Sequence, residues 1–396
     1  MKASRSIVVS CFAGWHGFDL AQGLDRAGLL QCLVTLANPR QIEANYGIPR
    51  HRIRRLPFAG LLHRTELWLS TNASAGINDL YYGFFCWLYD CFTQIFLGPH
   101  TRMLIAWHPF ATKALVKARQ QGIVTVLDVG STHPRYQYAT LCREHQVLGL
   151  RRPWVPRRAL DQTWIFDVVD QICIPSTPVL QSFLAEGVSR DRLFLNPYGV
   201  NSEVFCRPRQ TLSRGPFSHS YPLRVLTVAS LTPRKGSRLL LDICRHFQGD
   251  QRIAFTLVGS IDPPYTARNT DLPDNLLIQP PVCHAELVQI YHQNHVFLLP
   301  SLEEGFARVL IEAAGCGLTL LATPPTGLAD LLQHAPDAGF LLKDHELCTA
   351  VEALRSLIVG DLPLSGASQQ QLSFYLRSAY QDRSASFLES YLSVGR

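Results

Sequence analysis

Short apolar runs alternate with helix-patterned stretches along this chain, stop at a proline-rich interval, and then begin again. Residues 7–9 (Ile-Val-Val) read as a strand. A Gly14-Trp15-His16-Gly17 turn follows, then a helix over 18–27 closed by Gly28. Two apolar runs, 103–107 and 124–128, enclose a helical pattern over 111–121, and 172–175 leads into a helix over 177–186. Residues 206–222 then carry three prolines among polar residues, the composition of a linker. Beyond it come strands at 225–229, 254–259, 296–300 and 318–322, with a further short strand ending at Ile278. Helices are expected over 237–247 and 284–294. Fully apolar short runs separated by helices predict parallel strands covered on both faces.

Two such halves make an α/β protein of two doubly wound domains facing across a cleft. The expected boundaries are 1–205, a linker at 206–222, and 223–372. A polar amphipathic tail begins near Gly366, with a final helix over 373–396 packing back toward the first domain. A chain of 396 residues exceeds one ordinary core. Ligands of such folds bind at the carboxyl ends of the strands.

The formal charge of +6 is uneven: residues 1–210 hold 23 Lys+Arg against 14 Asp+Glu, and the remainder 14 against 17. Basic clusters at 51–55 and 151–158 fit either a solvated surface or contact with anionic headgroups or a phosphorylated acceptor. No recognition motif accompanies the charge, which argues against nucleic acid. The 11 cysteines lack metal-ligand spacing, so free thiols in a reducing compartment are expected, with no metal site and no disulfide framework. Residues 6–13 are too short for a secretory signal core. The aromatic stretch 77–97 is interrupted by Asp79 and Asp90 and is expected as a helix of the core or acceptor groove, or one lying on a membrane surface, rather than a span.

The chemistry concentrates in residues 300–314. Glu304 lies in a Gly-containing turn and Glu312 in the helix-forming run after it. A helix start offers free N–H groups and a positive dipole to a diphosphate, and a carboxylate accepts hydrogen bonds from vicinal hydroxyls. Lys235 follows a strand and opens a helix, where its ammonium and local amides converge.

Four segments together resemble family 4 of the retaining, GT-B-fold glycosyltransferases (glycosyl transferases group 1). They are 300–314 with its E-x7-E pair, 228–236 as the phosphate loop, 169–176 with 196–200, and 128–133. The likeness covers most of 120–345. It implies a GT-B architecture of two Rossmann-like domains and a metal-independent hexosyl transfer with retention. The donor is a nucleotide-diphosphate sugar, and the acceptor is a hydroxyl of a glycolipid, polysaccharide or other glycan precursor. Glu304 would hold hexose hydroxyls, helped by Gly305 and the amides of Phe306 and Ala307. The amides near Arg308 and Val309 would face the diphosphate. Glu312 would take both ribose hydroxyls and Lys235 the leaving charge, and backbone near Val282 would meet the base. His133 would touch the transferred sugar, and Gly14, Trp15 and His16 would lie on the acceptor side. Ser230 stands where the family has an arginine, with Arg234 as a candidate substitute. Glu303 is expected to face solvent and Asp128 to lie inside its strand.

These readings describe a cytoplasmic enzyme, with peripheral association at an anionic inner membrane face as a further expectation. The sugar nucleotide is a substrate, and no cofactor or metal is expected. Ser230 favours one alternative, a weak or inactive scaffold binding a sugar nucleotide or glycan. A different reaction on the same fold, epimerisation or phosphorolysis, fits the phosphate loop less well.

Overall fold

A computed structural model describes residues 5–12, 14, 16–61, 64–65, 68, 75–208, 212, 215–262 and 272–394. Its first seven strands are β1 (Ile7–Ser10), β2 (Leu30–Thr35), β3 (Ile53–Arg55), β4 (Met103–Ala106), β5 (Val124–Asp128), β6 (Gln171–Ile174) and β7 (Leu193–Leu195). They form one sheet in the order β3-β2-β1-β4-β5-β6-β7. The next six are β8 (Leu223–Val228), β9 (Ile253–Val258), β10 (Leu276–Gln279), β11 (Val296–Leu299), β12 (Thr319–Ala322) and β13 (Gly339–Leu341). They form a second sheet in the order β10-β9-β8-β11-β12-β13. The recorded strand pairs are all parallel. This is the two-domain α/β architecture that the alternating pattern implies.

Strand order reverses between β1 and β4 in one sheet and between β8 and β11 in the other. Crevices beyond the strand ends at such points are where doubly wound folds place ligands. The strands flanking both reversals are buried almost throughout, because helices cover both faces. One apolar cluster runs from the first sheet across the domain boundary to residues such as Phe297, Phe306 and Leu310, and a second fills the rest of the C-terminal domain.

The tail is irregular after Gly366 except for a turn at Ser373–Tyr375, and its helix runs Arg377–Val394. That helix lies on the first domain. Gln381 Nε2 donates to the Asp19 carbonyl and to Gln22, at 2.8 Å each, and Arg383 Nη2 donates to the Pro197 carbonyl at 2.8 Å.

The aromatic stretch forms the helix Ala75–Gln94. Phe85, Cys86, Tyr89 and Thr93 are buried, while Ile77, Leu80, Phe84 and Trp87 lie outside at one-face spacing. Asp90, one of the charges that argued against a span, is fully buried for a structural reason. Its carboxylate accepts from the Lys113 and Ala114 amides at 2.8 and 2.7 Å and so caps the helix Thr112–Gln120 from outside. Among the described residues, no helix is long and apolar enough to cross a membrane. The basic run 51–55 contributes β3, an edge strand. There Arg52 pairs with Asp25, and Arg55 Nε donates to the Leu36 carbonyl at 3.1 Å.

Candidate active site

The loops after β8 and β11 meet. Thr232 caps a single 3-10 turn, Pro233–Lys235, and Gly236 (φ 70°) turns the chain into the helix Ser237–His246. Gly236 is required twice over: its φ is left-handed, and a Cβ there would overlap the Pro300 carbonyl. Lys235 Nζ lies 2.6 Å from Glu304 Oε1, which also accepts from Ser301 Oγ at 2.7 Å. The adjacent Arg234 diverges and reaches Glu303, with Nε 2.6 Å from Oε2. Ser230 accepts a hydrogen bond from the Ser260 hydroxyl at 2.8 Å.

The helix Arg308–Gly315 starts beside this pair, and its cap, Ala307, has no side-chain bond. Glu304 is therefore not a cap. The Ala307 amide is already bonded to the Thr326 carbonyl at 3.1 Å, whereas the first amides of the helix have no intrahelical acceptor. Arg308 does not pair with Glu312 at i,i+4; it reaches Asp19 of the first domain at 3.6 Å. Glu312 is buried and accepts from Tyr291 Oη at 3.3 Å. Burial pushes its carboxyl above the usual glutamate range, against the pull of Arg308 and His284. Val282 is half-buried before the helix His284–His292, and Phe306 is buried with its ring against Tyr375. Val309 lies in the first turn of the helix that carries Glu312.

Glu303 is the correction. It is fully buried, not solvent-facing. Its carboxylate accepts from the Thr132 amide (2.8 Å), the Thr132 hydroxyl (2.9 Å) and Gln137 Nε2 (2.9 Å) on the first domain, and from Arg234 on the second. Burial alone would raise its pKa, but the Arg234 charge and the Gln137 and Thr132 donors hold it below the usual range. Arg234 is held above its own usual range in return: burial opposes its charge, and Glu303 and Glu304 more than offset that. The domains also touch where Gly305 packs on Gly130 and where Ser176 Oγ donates to the Gly305 carbonyl.

Across from these loops lies a cavity of about 450 Å³ at the β1/β4 reversal. Its lining includes His16 after β1, Trp107 and His108 after β4, residues 128–132 at the end of β5, and Arg234 and Arg308 from the second domain. His16 Nε2 lies 2.8 Å from Asp128 Oδ1, and its ring stacks on Tyr198 at 4.1 Å. Asp128 is the last residue of β5, so it belongs to the strand while its carboxylate reaches the cavity wall. Gly14 packs near Phe18, and Trp15 lies outside the described residues.

His133 caps the helix Pro134–Val147 and packs against Phe166 and Phe183, buried beside the cavity rather than among its lining residues. Burial lowers its pKa to about 4, with Glu186 opposing the shift and Arg135 adding to it. Sequence reasoning had no reason to pick Trp107 and His108. Only the β1/β4 crossover brings them opposite His16.

Residues 222–359 match the family model for glycosyl transferases group 1. The chain is 24% identical over 267 residues to a subunit of phosphatidylinositol N-acetylglucosaminyltransferase from Arabidopsis thaliana, covering 64% of this chain and 53% of that one. It is 26% identical over 220 residues to D-inositol 3-phosphate glycosyltransferase of Paenarthrobacter aurescens, covering 52% and 53%. It thus spans about half the length of these two relatives. In shape it is similar to sucrose-phosphate synthase of Thermosynechococcus elongatus, with a TM-score of 0.72 at 16% identity over 98% of this chain and 100% of that one. It is also similar to Anabaena HepE in complex with UDP, with a TM-score of 0.63 at 14% identity over 97% and 100%. Residues 222–359 thus match a glycosyl transferases group 1 domain, and the chain carries that stretch on a GT-B fold.

Proposed function

We propose that this glycosyltransferase moves a hexosyl unit from a nucleotide-diphosphate sugar to a hydroxyl of a glycolipid, polysaccharide or other glycan precursor, with retention and without a metal. The observation that carries the reading is the Lys235–Glu304 pair beside the start of the helix Arg308–Gly315. As the anomeric bond breaks, negative charge grows on the diphosphate. Lys235 and the helix-start amides, those of Arg308 and Val309, are the groups of this chain suited to stabilise it. Lys235 would pass from Glu304 to the phosphate, freeing that carboxylate for hexose hydroxyls. Glu312 would take the ribose diol, and backbone near Val282 the base. Transfer without a protein nucleophile needs orientation and electrostatics, with the leaving phosphate receiving the acceptor proton.

Two similar proteins support the classes of ligand: HepE is described in complex with UDP, and the relatives named above act on inositol phosphates or their lipids by name. The half-exposed aromatic face of the helix Ala75–Gln94, with the exposed Arg157 paired to its Asp79, supports peripheral association with an anionic membrane at the cytoplasmic face.

A second reading, a weak or inactive sugar-nucleotide scaffold, rests on Ser230, a neutral hydroxyl bonded to Ser260 where the family has an arginine. A thermal-shift screen with UDP, GDP and ADP separates the two when followed by a donor-hydrolysis and transfer assay that reads product anomer by NMR. A ligand at a hundred times its dissociation constant stabilises by about 2.7 kcal/mol. No shift with any nucleotide sinks the transferase reading; a shift without turnover favours the scaffold.

A further inference from the structure

Lys235, Arg234 and Arg308 of the second domain each meet a carboxylate. Lys235 lies 2.6 Å from Glu304, Arg234 lies 2.6 Å from Glu303, and Arg308 Nη1 lies 3.6 Å from Asp19 Oδ2. The first two contacts are hydrogen bonds, and the third is too long to be one.

Asp19 is buried and has a nearer cation, since Arg377 Nε of the C-terminal helix lies 2.9 Å from its Oδ1. Arg377 is anchored by its surroundings. Its amide donates to the Val200 carbonyl at 2.9 Å, and its guanidinium lies 5.9 Å over the Tyr46 ring. Yet the cluster is incompletely satisfied. Among the described residues, the buried side-chain atoms with no hydrogen-bond partner include Asp19 Oδ1, Arg377 Nε and Arg308 Nε. Native proteins rarely leave such atoms unpaired. Two cations share one carboxylate here, and Arg308 holds the weaker share with a donor to spare.

Moving Arg234 off Glu303 would strip a fully buried carboxylate of its cation, at the bridge to Thr132 and Gln137. Moving Arg308 off Asp19 leaves that carboxylate with Arg377. Arg308 is also placed for such a move. It is the first residue of the helix Arg308–Gly315, it lines the cleft cavity, and its side chain is 31% exposed. The Cα–Cβ bonds of a helix tilt toward its N-terminus. The first side chain therefore projects past the helix start, into the space that the free amides face. A guanidinium offers that space a planar fork of donors matched to phosphate oxygens.

We propose that the Arg308 side chain binds the donor's diphosphate and leaves Asp19 to do so. This rests on the transferase reading above. It gives the leaving group a second cation beside Lys235 and the helix-start amides, which neutral Ser230, bonded to Ser260, does not supply. Asp19 belongs to the first domain, so donor binding releases one tie between the domains while Arg377 keeps that carboxylate neutralised.

The test is calorimetric titration of the full chain with UDP, GDP or ADP, and then, by competition, with the nucleoside that matches whichever binds. Arg308→Gln is expected to weaken the nucleoside diphosphate by about tenfold or more and to leave the nucleoside unchanged, with circular dichroism intact. Arg308→Lys recovers part of the loss. Asp19→Asn removes the competing charge and is expected to bind the diphosphate at least as tightly as the parent. The inference is overturned if folded Arg308→Gln binds the diphosphate like the parent, or if it weakens nucleoside and diphosphate alike. It is also overturned if Asp19→Asn loses affinity as Arg308→Gln does, because the contact then serves only to join the domains. Any of these results with a parent that binds nucleotide sinks this inference alone. A parent that binds no nucleotide sinks the transferase reading and this inference with it.

Discussion

Glu303 and Glu304 are neighbours in sequence, and their carboxylates serve different ends. Glu304 pairs with Lys235 on the donor side, while Glu303 joins the two domains through Thr132, Gln137 and Arg234. Lys235→Ala and Glu304→Ala are each expected to lower kcat/KM a hundredfold or more, with the fold intact by circular dichroism. Glu303→Gln leaves Arg234 partly buried without its closest anion, and a loss of about 3 kcal/mol is expected in chemical denaturation. The pH dependence has a definite sign. The folded pKa of Glu303 is depressed, so its contribution is complete above the ordinary glutamate pKa and disappears as pH falls through the lower folded value. The stability gap between wild type and Glu303→Gln should therefore narrow on acidification through that window; a gap that is flat or widens there contradicts the pairing.

At the scale of elements, the helix Ala75–Gln94 uses two faces differently. Its buried side carries Tyr89 and the capping carboxylate of Asp90. On its outer side Leu80 is 77% exposed and Ile77, Phe84 and Trp87 accompany it, with Phe84 and Trp87 rings 5.9 Å apart. Trp154 packs edge-on to Tyr82, and Arg157 pairs with Asp79 on the same helix, which sets a basic segment along its flank. If the helix rests on anionic lipid, Phe84→Asp with Trp87→Asp should abolish co-sedimentation with phosphatidylserine vesicles at moderate salt and leave nucleotide binding unchanged. Equal sedimentation of wild type and the double variant removes the membrane reading. The heptad-like spacing at 77, 80, 84 and 87 was present in the sequence, but which face would stay outside was not. That choice depends on the sheet and the helix Thr112–Gln120 claiming the other one.

Across the molecule as a whole, the domains meet through side chains such as Glu303 and at one point, Gly305, that admits no side chain. A Cβ on Gly305 would collide with the Gly130 carbonyl of the other domain. Gly305→Ala is therefore expected to hold the cleft open, enlarging the radius of gyration in solution scattering and lowering kcat at least tenfold while each domain stays folded. A variant with unchanged scattering and kcat would show that this contact is not part of closure. The C-terminal helix lies on the first domain, with Arg377 Nε 2.9 Å from Asp19, the same carboxylate that Arg308 approaches from the second. Asp19 thus meets cations from both sides of the molecule, and burial raises its pKa against the pull of Arg308, Arg377 and His16.

The order of residues along the chain was enough to mark the elements and the chemistry that each carries locally. The alternation of apolar runs and helical patterns marked all four strands flanking the two reversals, because strands covered on both faces are mostly apolar. The turn at 304–305 and the 232–236 loop stood out because glycine and charge beside a helix start have few other uses. Edge strands such as β3, β7 and β13 were not legible, being too short to carry a pattern. Folding settled which residues face one another across the molecule. Glu303 is a buried bridge, His16 is paired with Asp128, His133 packs beside the cavity, and Trp107 with His108 completes its wall. Each of these depends on a crossover or a domain contact between residues far apart in the chain. Local propensity and spacing hold no information about such a pairing, since the burial and charge that define it exist only once both partners are in place.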